Sequence, residues 1–426
     1  MNKIKNEQEL INKVLTKLQT AKGLYKYVNK IIKIFVYNNY NFYFVGGTIR
    51  DILISIFNKK SNIETQDVDI VVETDDYSKV VTLIQKNLSA DKKIKIKIKT
   101  YPQFLTLSIL ISIDNEIKRI DLSIPRKEEY PKPAVLPKVS VGTVFDDVYR
   151  RDFTINAVCL RYDCISKSYS FYDPFNGIKD IINKKIRILH EKSFIDDPTR
   201  ILRGIRFAAT LSFKFEPLTE KFVKEAIREN VISMLSETRL NSEFVNILKK
   251  GGNLYQVAKF FKKYKIYAYY INIKDLIKEF ITNAKKIELE KIKDKKNKFY
   301  IRLFYLLEKV GGPVELLETN KIKIFKKYLE KLNISRDERS PIYDAVKIFA
   351  NGQRRNLPKW VKIYLQVFNR KITKLPVKPS KLLDLGVQKE KIKPVILYFL
   401  TNRITNLSNK KIKSIALKLN KSKGIF

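Results

Sequence analysis

Along this chain the spacing of apolar residues changes period twice, near residue 41 and again after about residue 177, and those changes decide the fold class. Between residues 41 and 165 the apolar positions recur in short runs with period two. Asp67-Val-Asp-Ile-Val-Val72 alternates, Ile94, Ile96 and Ile98 alternate with lysines, and residues 104–113 and 118–124 supply two more strands. Residues 41–45 form a short aromatic run that stops at Gly46-Gly47, a strand entering a tight turn, and residues 48–57 then read as helix. Residues 1–40 also read as helix, with Leu10, Ile11, Val14, Leu15 and Leu18 at helical spacing. After Asp173-Pro-Phe-Asn-Gly177 the strand signals fade and helical periodicity continues, punctuated by Gly251-Gly252, Gly311-Gly312-Pro313 and Leu375-Pro376. Strands and helices mixed over residues 41–165 indicate an α/β or α+β domain, and residues 178–426 read as mostly helical.

Charge narrows the chemistry. Lys and Arg number 85 against 44 Asp and Glu, a formal net charge of +41, which calls for a polyanionic partner. Residues 351–426 hold 19 Lys and Arg against two acids, Asp384 and Glu390, as expected of a surface that binds a nucleic-acid backbone. A single histidine, His190, and two cysteines, Cys159 and Cys164, exclude a disulfide scaffold and a Cys-rich zinc site. They also leave little for a His-based metal site or a Ser-His-Asp triad. No apolar run reaches 18 residues and the first ten residues lack the apolar core of a secretory signal. No membrane partner is expected, and the expected location is the cytoplasm or an organelle interior. The chemistry falls to carboxylates, arginines, lysines and backbone groups.

Period two puts Asp67 and Asp69 on one strand face, where they repel unless a cation sits between them. Asp121, on a neighbouring strand, can bring a third carboxylate, and such a set suits two magnesium ions. About twenty residues upstream, Gly46-Gly47 lets phosphate oxygens approach backbone amides at a helix N-terminus, with Arg50 one turn in. Asp197-Pro198 is a helix start, and Arg200, Arg203 and Arg206 follow at three-residue spacing. Three arginines and no lysine, in a lysine-rich chain, suit planar recognition of bases and phosphates. Arg150-Arg151-Asp152 forms a second cluster. In it Asp152 can hold an arginine plane, and Asn156 can bond a sugar hydroxyl or brace a loop. Each motif alone has a plain reading: surface carboxylates, a left-handed turn, a solvated arginine stripe, a strand start. Their ordered combination is far more specific and points to a nucleoside triphosphate above a metal pair.

Over about residues 42–215 these motifs resemble, in order, the class II tRNA nucleotidyltransferases and the related bacterial poly(A) polymerases. Val-Gly46-Gly47-Thr-Ile-Arg50-Asp51 is similar to the family's glycine and arginine motif, and Asp67-Val-Asp69 to its metal-binding pair. Arg126-Lys-Glu-Glu-Tyr130 through Pro137 is similar to its flexible loop. Arg151-Asp152-Phe-Thr-Ile-Asn156-Ala and Asp173-Pro-Phe-Asn-Gly177 with Asp180 follow. Asp197-Pro-Thr-Arg200-Ile-Leu-Arg203-Gly-Ile-Arg206 resembles the segment that chooses the nucleotide. Asp196 stands where the family has glutamate and Asn58 where it has glycine. Ser380–Gly386 resembles the tail segment, with Gln388-Lys-Glu-Lys in place of a Gly-Pro-Gly turn.

The resemblance implies a head at 1–165, a neck at 166–270, a body at 271–350 and a tRNA-binding tail at 351–426. It implies attack of a tRNA 3′-hydroxyl on the α-phosphate of CTP or ATP, with release of pyrophosphate. Asp67 and Asp69 would hold two magnesium ions, and Asp121 would orient a metal or the primer hydroxyl. Gly46, Gly47, Arg50 and Arg151 would contact the triphosphate and sugar, with Asp152 and Asn156 beside them. Asp197 and Arg200 would read the base, and Arg203 and Arg206 would support them or bind phosphate. Whether CCA, CC or only A is added stays open. So do a poly(A) polymerase acting on mRNA and an RNA-binding protein with a degenerate head.

Overall fold

The computed structural model describes residues 7–19, 24–58, 67–88, 96–113, 116–289, 298–311, 328–334 and 379–385, with 387, 412 and 414. The chain divides into two compact units, Met1–Ile271 and Asn272–Phe426. The basic tail expected at 351–426 lies almost wholly outside the described residues.

Two helices open the first unit, α1 (Glu7–Gln19) and α2 (Leu24–Tyr37). Strand β1 (Phe42–Val45) then leads through α3 (Gly46–Phe57) to β2 (Asp67–Val72), and α4 (Tyr77–Leu88) leads to β3 (Ile96–Tyr101). β4 (Thr106–Ile113) and β5 (Glu116–Ser123) follow, then a hairpin of β6 (Arg126–Glu129) and β7 (Lys138–Val141). The segment expected as a flexible loop at 126–137 therefore begins as a paired strand. A short helix α5 (Val144–Tyr149) precedes β8 (Cys159–Asp163) and β9 (Ser168–Tyr172).

Seven strands form one sheet in the order β3-β4-β5-β2-β1-β8-β9. β2 and β5 run parallel, and the other neighbours are antiparallel. One face carries Phe42, Phe44, Ile70, Ile109 and Ile120, all buried, with Phe35 of α2 against Phe42 at 6.0 Å between ring centroids. Among the described residues, the other face is covered on its β1-β8 side. There Tyr43, Val45, Val71 and Cys159 form a core with Val148 of α5, and Phe175 and Leu189 pack against it. Tyr43 and Val45 pair with Val71 and Asp69, so Asp69 and Asp67 lie on that same face. The aspartates thus border a covered half of the sheet and an open half.

Helices follow, as the second period change predicts: α6 (Gly177–Ile182), α7 (Ser193–Asp196), α8 (Thr199–Leu211), α9 (Pro217–Arg228), α10 (Glu237–Lys250) and α11 (Leu254–Lys263). Two-residue strands β10 (Lys185–Ile186) and β11 (Lys214–Phe215) pair in parallel, too short to show as alternation. α10 and α11 both pack on α8. The second unit includes α12 (Lys274–Leu289) against α13 (Lys298–Gly311). Buried Phe280, Ile277, Leu303 and Phe304 form its described core, and Tyr305 donates to Asn283 at 3.1 Å.

Candidate active site

The turn from β1 into α3 sets the site's floor. Gly46 adopts φ +69°, the left-handed region that L side chains avoid. A Cβ there would also stand 3.1 Å from Asp69 Oδ2 and 3.2 Å from Arg151 Nη1. Glycine therefore allows the turn and the close approach together.

Asp69 and Asp121 are cross-strand partners, and Asp67 faces Arg119. Burial, reinforced by Asp121, pushes Asp69 up to about 6, although Arg151 and Arg119 oppose the shift. Burial raises Asp121 too, against a 2.6 Å hydrogen bond from Ser108 Oγ and the charge of Arg119. Arg119 lies between two of the carboxylates, 3.1 Å from Asp121 and 3.6 Å from Asp67. The pair is short of positive charge and its oxygens are hard, a donor set that fits a divalent cation. Among the described residues no three His, Cys, Asp or Glu side chains are grouped to hold an ion by themselves. Magnesium commonly binds through one or two carboxylates with substrate phosphates and water completing the shell, so the aspartates remain a fit.

Residues 150–156 build the adjoining wall. Asp147 on α5 is buried and accepts from Arg150 at 2.6 Å and from Arg151 at 2.8 Å. Burial alone would raise it, but the two guanidiniums hold it at about 2. Asp152 is likewise buried, yet Arg203, with Asn156, holds it at about 2. Its Oδ2 accepts from Arg203 Nε and Nη2 at 3.0 and 2.7 Å, and its Oδ1 from Asn156 Nδ2 at 2.7 Å. Asn156 Oδ1 accepts in turn from Arg50 Nη1 at 2.7 Å, and Arg50 also donates to Asp51. One network therefore joins the three sequence motifs, and Asn156 uses both ends of its amide as a brace. Asn156→Ala should remove one hydrogen bond each from Arg50 and Asp152 and cost about 2 kcal/mol, as urea unfolding will measure.

The arginine stripe of α8 is not solvated. Arg200 and Arg206 are buried, and Arg203 is half-buried. Arg200 donates to Ser193 Oγ and to the Arg150 carbonyl, each at 2.7 Å, which fixes the plane of its remaining N–H groups. Arg50, Arg203 and Arg206 converge on the Phe207 ring at 4.9, 5.7 and 4.6 Å. Burial and Arg203 lower Arg206 to about 10, and its Nε has no hydrogen-bond partner.

The helix begins at Thr199, one residue later than the Asp-Pro start implies. Asp197 still serves that end: its Oδ1 accepts from the Thr199 amide at 3.1 Å and the Thr199 hydroxyl at 2.6 Å. The same oxygen accepts from Arg239 Nη2 at 2.8 Å. No described residue donates to Oδ2. Arg239 also donates to the Ala134 carbonyl, and the Ala134 amide donates to Asp196. Arg239 and Glu243, both on α10, are site residues that the motif reading missed. Their spacing of four on a helix with no other arginine is the signal that was available.

Of the site residues expected from the sequence, all but Asp121 line one cleft of about 770 Å³, running from Gly46 and Asp69 past Arg151 to Asp197, Arg206 and Glu243. His190 stacks on Tyr149 at 4.9 Å between ring centres, behind the arginine wall. Burial and the charge of Arg200 lower it from its ordinary 6.5 to about 4. The 4.0 Å gap to Asp196 is too long for a hydrogen bond to oppose this. The unfolded chain therefore binds a proton between pH 6.5 and 4 that the native state refuses. Stability from this group is full above the upper limit and falls towards the lower one. The lone imidazole should titrate near 4 by NMR, and His190→Gln should flatten stability over that window.

The sheet thus carries aspartates beside a Gly-Gly turn, walled by arginines. Residues 42–187 match the family described as the poly A polymerase head domain. The chain is 32% identical over 246 residues to the A-adding tRNA nucleotidyltransferase of Aquifex aeolicus, covering 58% of this chain and 27% of that protein. It is 34% identical over 213 residues to the A-adding tRNA nucleotidyltransferase of Halalkalibacterium halodurans, covering 50% and 44%. The chain thus spans less than half the length of these relatives. The fold is that of the CCA-adding enzymes: a Thermotoga maritima CCA-adding enzyme complexed with tRNA superposes with a TM-score of 0.56 at 21% identity, covering 96% of this chain and 98% of that one. Among the described residues no helix is long and apolar enough to cross a membrane.

Proposed function

We propose that this protein is a template-independent RNA nucleotidyltransferase that adds C or A residues of the CCA end to the 3′ terminus of tRNA from CTP or ATP. The observation that carries this reading is the shared cleft: Gly46, Asp67, Asp69, Arg151, Asp197 and Arg200 line it together. The parts are proposed as a head at 1–165, neck at 166–270, body at 271–350 and basic tail at 351–426.

Gly46 and Gly47 let the triphosphate approach the α3 amides, and Arg50 and Arg151 supply its counter-charge. Asp152 and Asn156 hold the planes of Arg203 and Arg50. Asp197 Oδ2 accepts from the amino group of C or A, and Arg200 donates to a ring nitrogen. U and G present the opposite pattern and leave buried groups unpaired. Arg203 and Arg206 brace this reading helix. Asp67 and Asp69, with Asp121 beside them, would hold two magnesium ions, which when bound lower the pKa of the attacking hydroxyl and neutralise the departing pyrophosphate. No separate protein base is required, in keeping with a half-buried His190 whose pKa is lowered to about 4.

Addition of the terminal A alone is the reading favoured by the relatives, since those at 32–34% identity are named A-adding and the CCA-adding ones fall at 25–30%. The test is incubation with tRNAs ending before CCA, after the first C and after CC, with each nucleotide in turn. Extension only of the tRNA ending in CC, by ATP, marks an A-adding enzyme. Extension of all three by CTP and ATP marks a CCA-adding one. Extension of unrelated RNA by ATP moves the reading to a poly(A) polymerase, and no extension of any RNA ends the transferase reading.

A further inference from the structure

The open half of the sheet carries a basic row beside the aspartates. β3 is an edge strand, and its register sets Lys97 opposite Leu110 and Lys99 opposite Ser108 on β4. Leu110 and Ser108 stand opposite Arg119 and Asp121 on β5, and Asp121 opposite Asp69 on β2. Residues directly opposite share a face, so Lys97 and Lys99 lie on the carboxylate face. At about 4.8 Å per strand, Lys99 is roughly 10 Å from Asp121 and roughly 14 Å from Asp69. Both lysines are exposed, and neither is ion-paired with a described residue.

The direction of the reaction gives this row a ligand. Phosphoryl transfer sets the attacking and leaving oxygens roughly in line, on opposite sides of the phosphorus. The arginine-walled cleft runs from the aspartates past Arg151 to Asp197 and the α8 arginines, on the side of the sheet that β1 and β8 occupy. A nucleotide held there leaves the other side, over β5, β4 and β3, for the attacking strand. We propose that Lys97 and Lys99 bind the sugar–phosphate backbone of the RNA strand that supplies the attacking hydroxyl. The inference rests on the transferase reading for its direction, and on the register and charge for its place. Lysines on an edge strand also guard it against pairing with another chain. Glutamate guards an edge equally well, so reversing the charge separates the two roles.

The experiment compares wild type, the Lys97→Glu/Lys99→Glu double variant and Lys97→Arg/Lys99→Arg, using tRNA binding over a salt series as well as steady-state transfer. The glutamate variant should raise the KM for tRNA at least about tenfold, with kcat and the nucleotide KM within about twofold. Its binding should depend less on salt, the logarithmic slope falling by about 1.4 for two single-strand phosphates. Its melting temperature should stay that of wild type, and the arginine variant should behave as wild type throughout. If wild type transfers nucleotides and the glutamate variant binds tRNA with unchanged affinity and slope, the lysines are edge guards and the proposal is overturned. If charge reversal weakens tRNA binding although wild type transfers nothing, the RNA track stands and the transferase reading falls. A wild type that binds no RNA overturns both.

Discussion

Asp69→Ala should lower nucleotide transfer by at least about 10³-fold, some 4 kcal/mol of transition-state stabilisation, while leaving the fold intact. The expectation follows from the charge balance at the strand. Asp69 is buried beside Asp121, and its carboxyl is pushed up to about 6, first by burial and then by that neighbour. A group with this environment strains the metal-free protein, because ionising it costs more there than in the unfolded chain. Its removal should therefore leave the melting temperature unchanged or raise it in chelator. Magnesium should stabilise wild type by binding the native state, and should lose that effect in the variant. A structural aspartate would behave in the opposite way, with a lowered melting temperature and no change in the magnesium response. Transfer by Asp69→Ala within about tenfold of wild type would end the two-metal reading. Asp67→Ala should follow the same pattern, with a smaller gain in stability, because Asp67 is more exposed and has Arg119 at 3.6 Å.

The β-strand pairs were legible because their determinants are local. Asp67 and Asp69 sit in a six-residue strand whose alternate positions, Val68 and Ile70, are buried. The Gly-Gly turn was legible for the same reason, since a left-handed residue between strand and helix calls for glycine. The burial of the α8 arginines was not. Arginine at three-residue spacing reads as a solvated stripe until Asp152, the Arg150 carbonyl and Ser193 are brought to it from elsewhere in the chain. Arg239 was missed because its partner, Asp197, is 42 residues away across α8 and α9, with no shared motif to link them. The segment from Arg126 to Pro137 resembles a flexible loop, and Arg126-Lys-Glu-Glu129 has no apolar alternation to mark β6 as a strand. The two strands of the hairpin, β6 and β7, pair through the backbone, and Glu128 ties β6 to the arginine wall, accepting from Arg126 at 3.2 Å and from Arg150 at 2.9 Å. Local pattern thus revealed which residues carry charge and chemistry, whereas long-range pairing determined which of those charges stay free for a ligand.

The same distinction decides what Asp197→Asn will do. Its Oδ1 caps the start of α8 and pairs with Arg239, while its Oδ2 receives nothing from any described residue. Asparagine caps a helix about as well as aspartate, and its Oδ1 can keep the Thr199 and Arg239 bonds as a neutral acceptor. Helix entry should then survive, at a cost of about 1 kcal/mol for the weakened Arg239 contact. The free position changes from an acceptor into an NH₂ donor. Facing the amino group of C or A, a donor repels; facing the carbonyl of uracil, it bonds. Preference for C or A over U should fall by about 10²-fold or more, since losing one buried polar match shifts discrimination by orders of magnitude. Arg239→Gln offers the complementary test. It leaves both carboxylate oxygens of Asp197 in place but frees the side chain to rotate, so it should blunt selectivity less than Asp197→Asn. The measurement is incorporation of CTP, ATP, UTP and GTP by wild type and both variants, with melting temperatures alongside. If Asp197→Asn keeps the wild-type preference and rate while its stability drops, the carboxylate is only a cap and a partner for Arg239. If the preference relaxes while the fold holds, Oδ2 is the atom that reads the base.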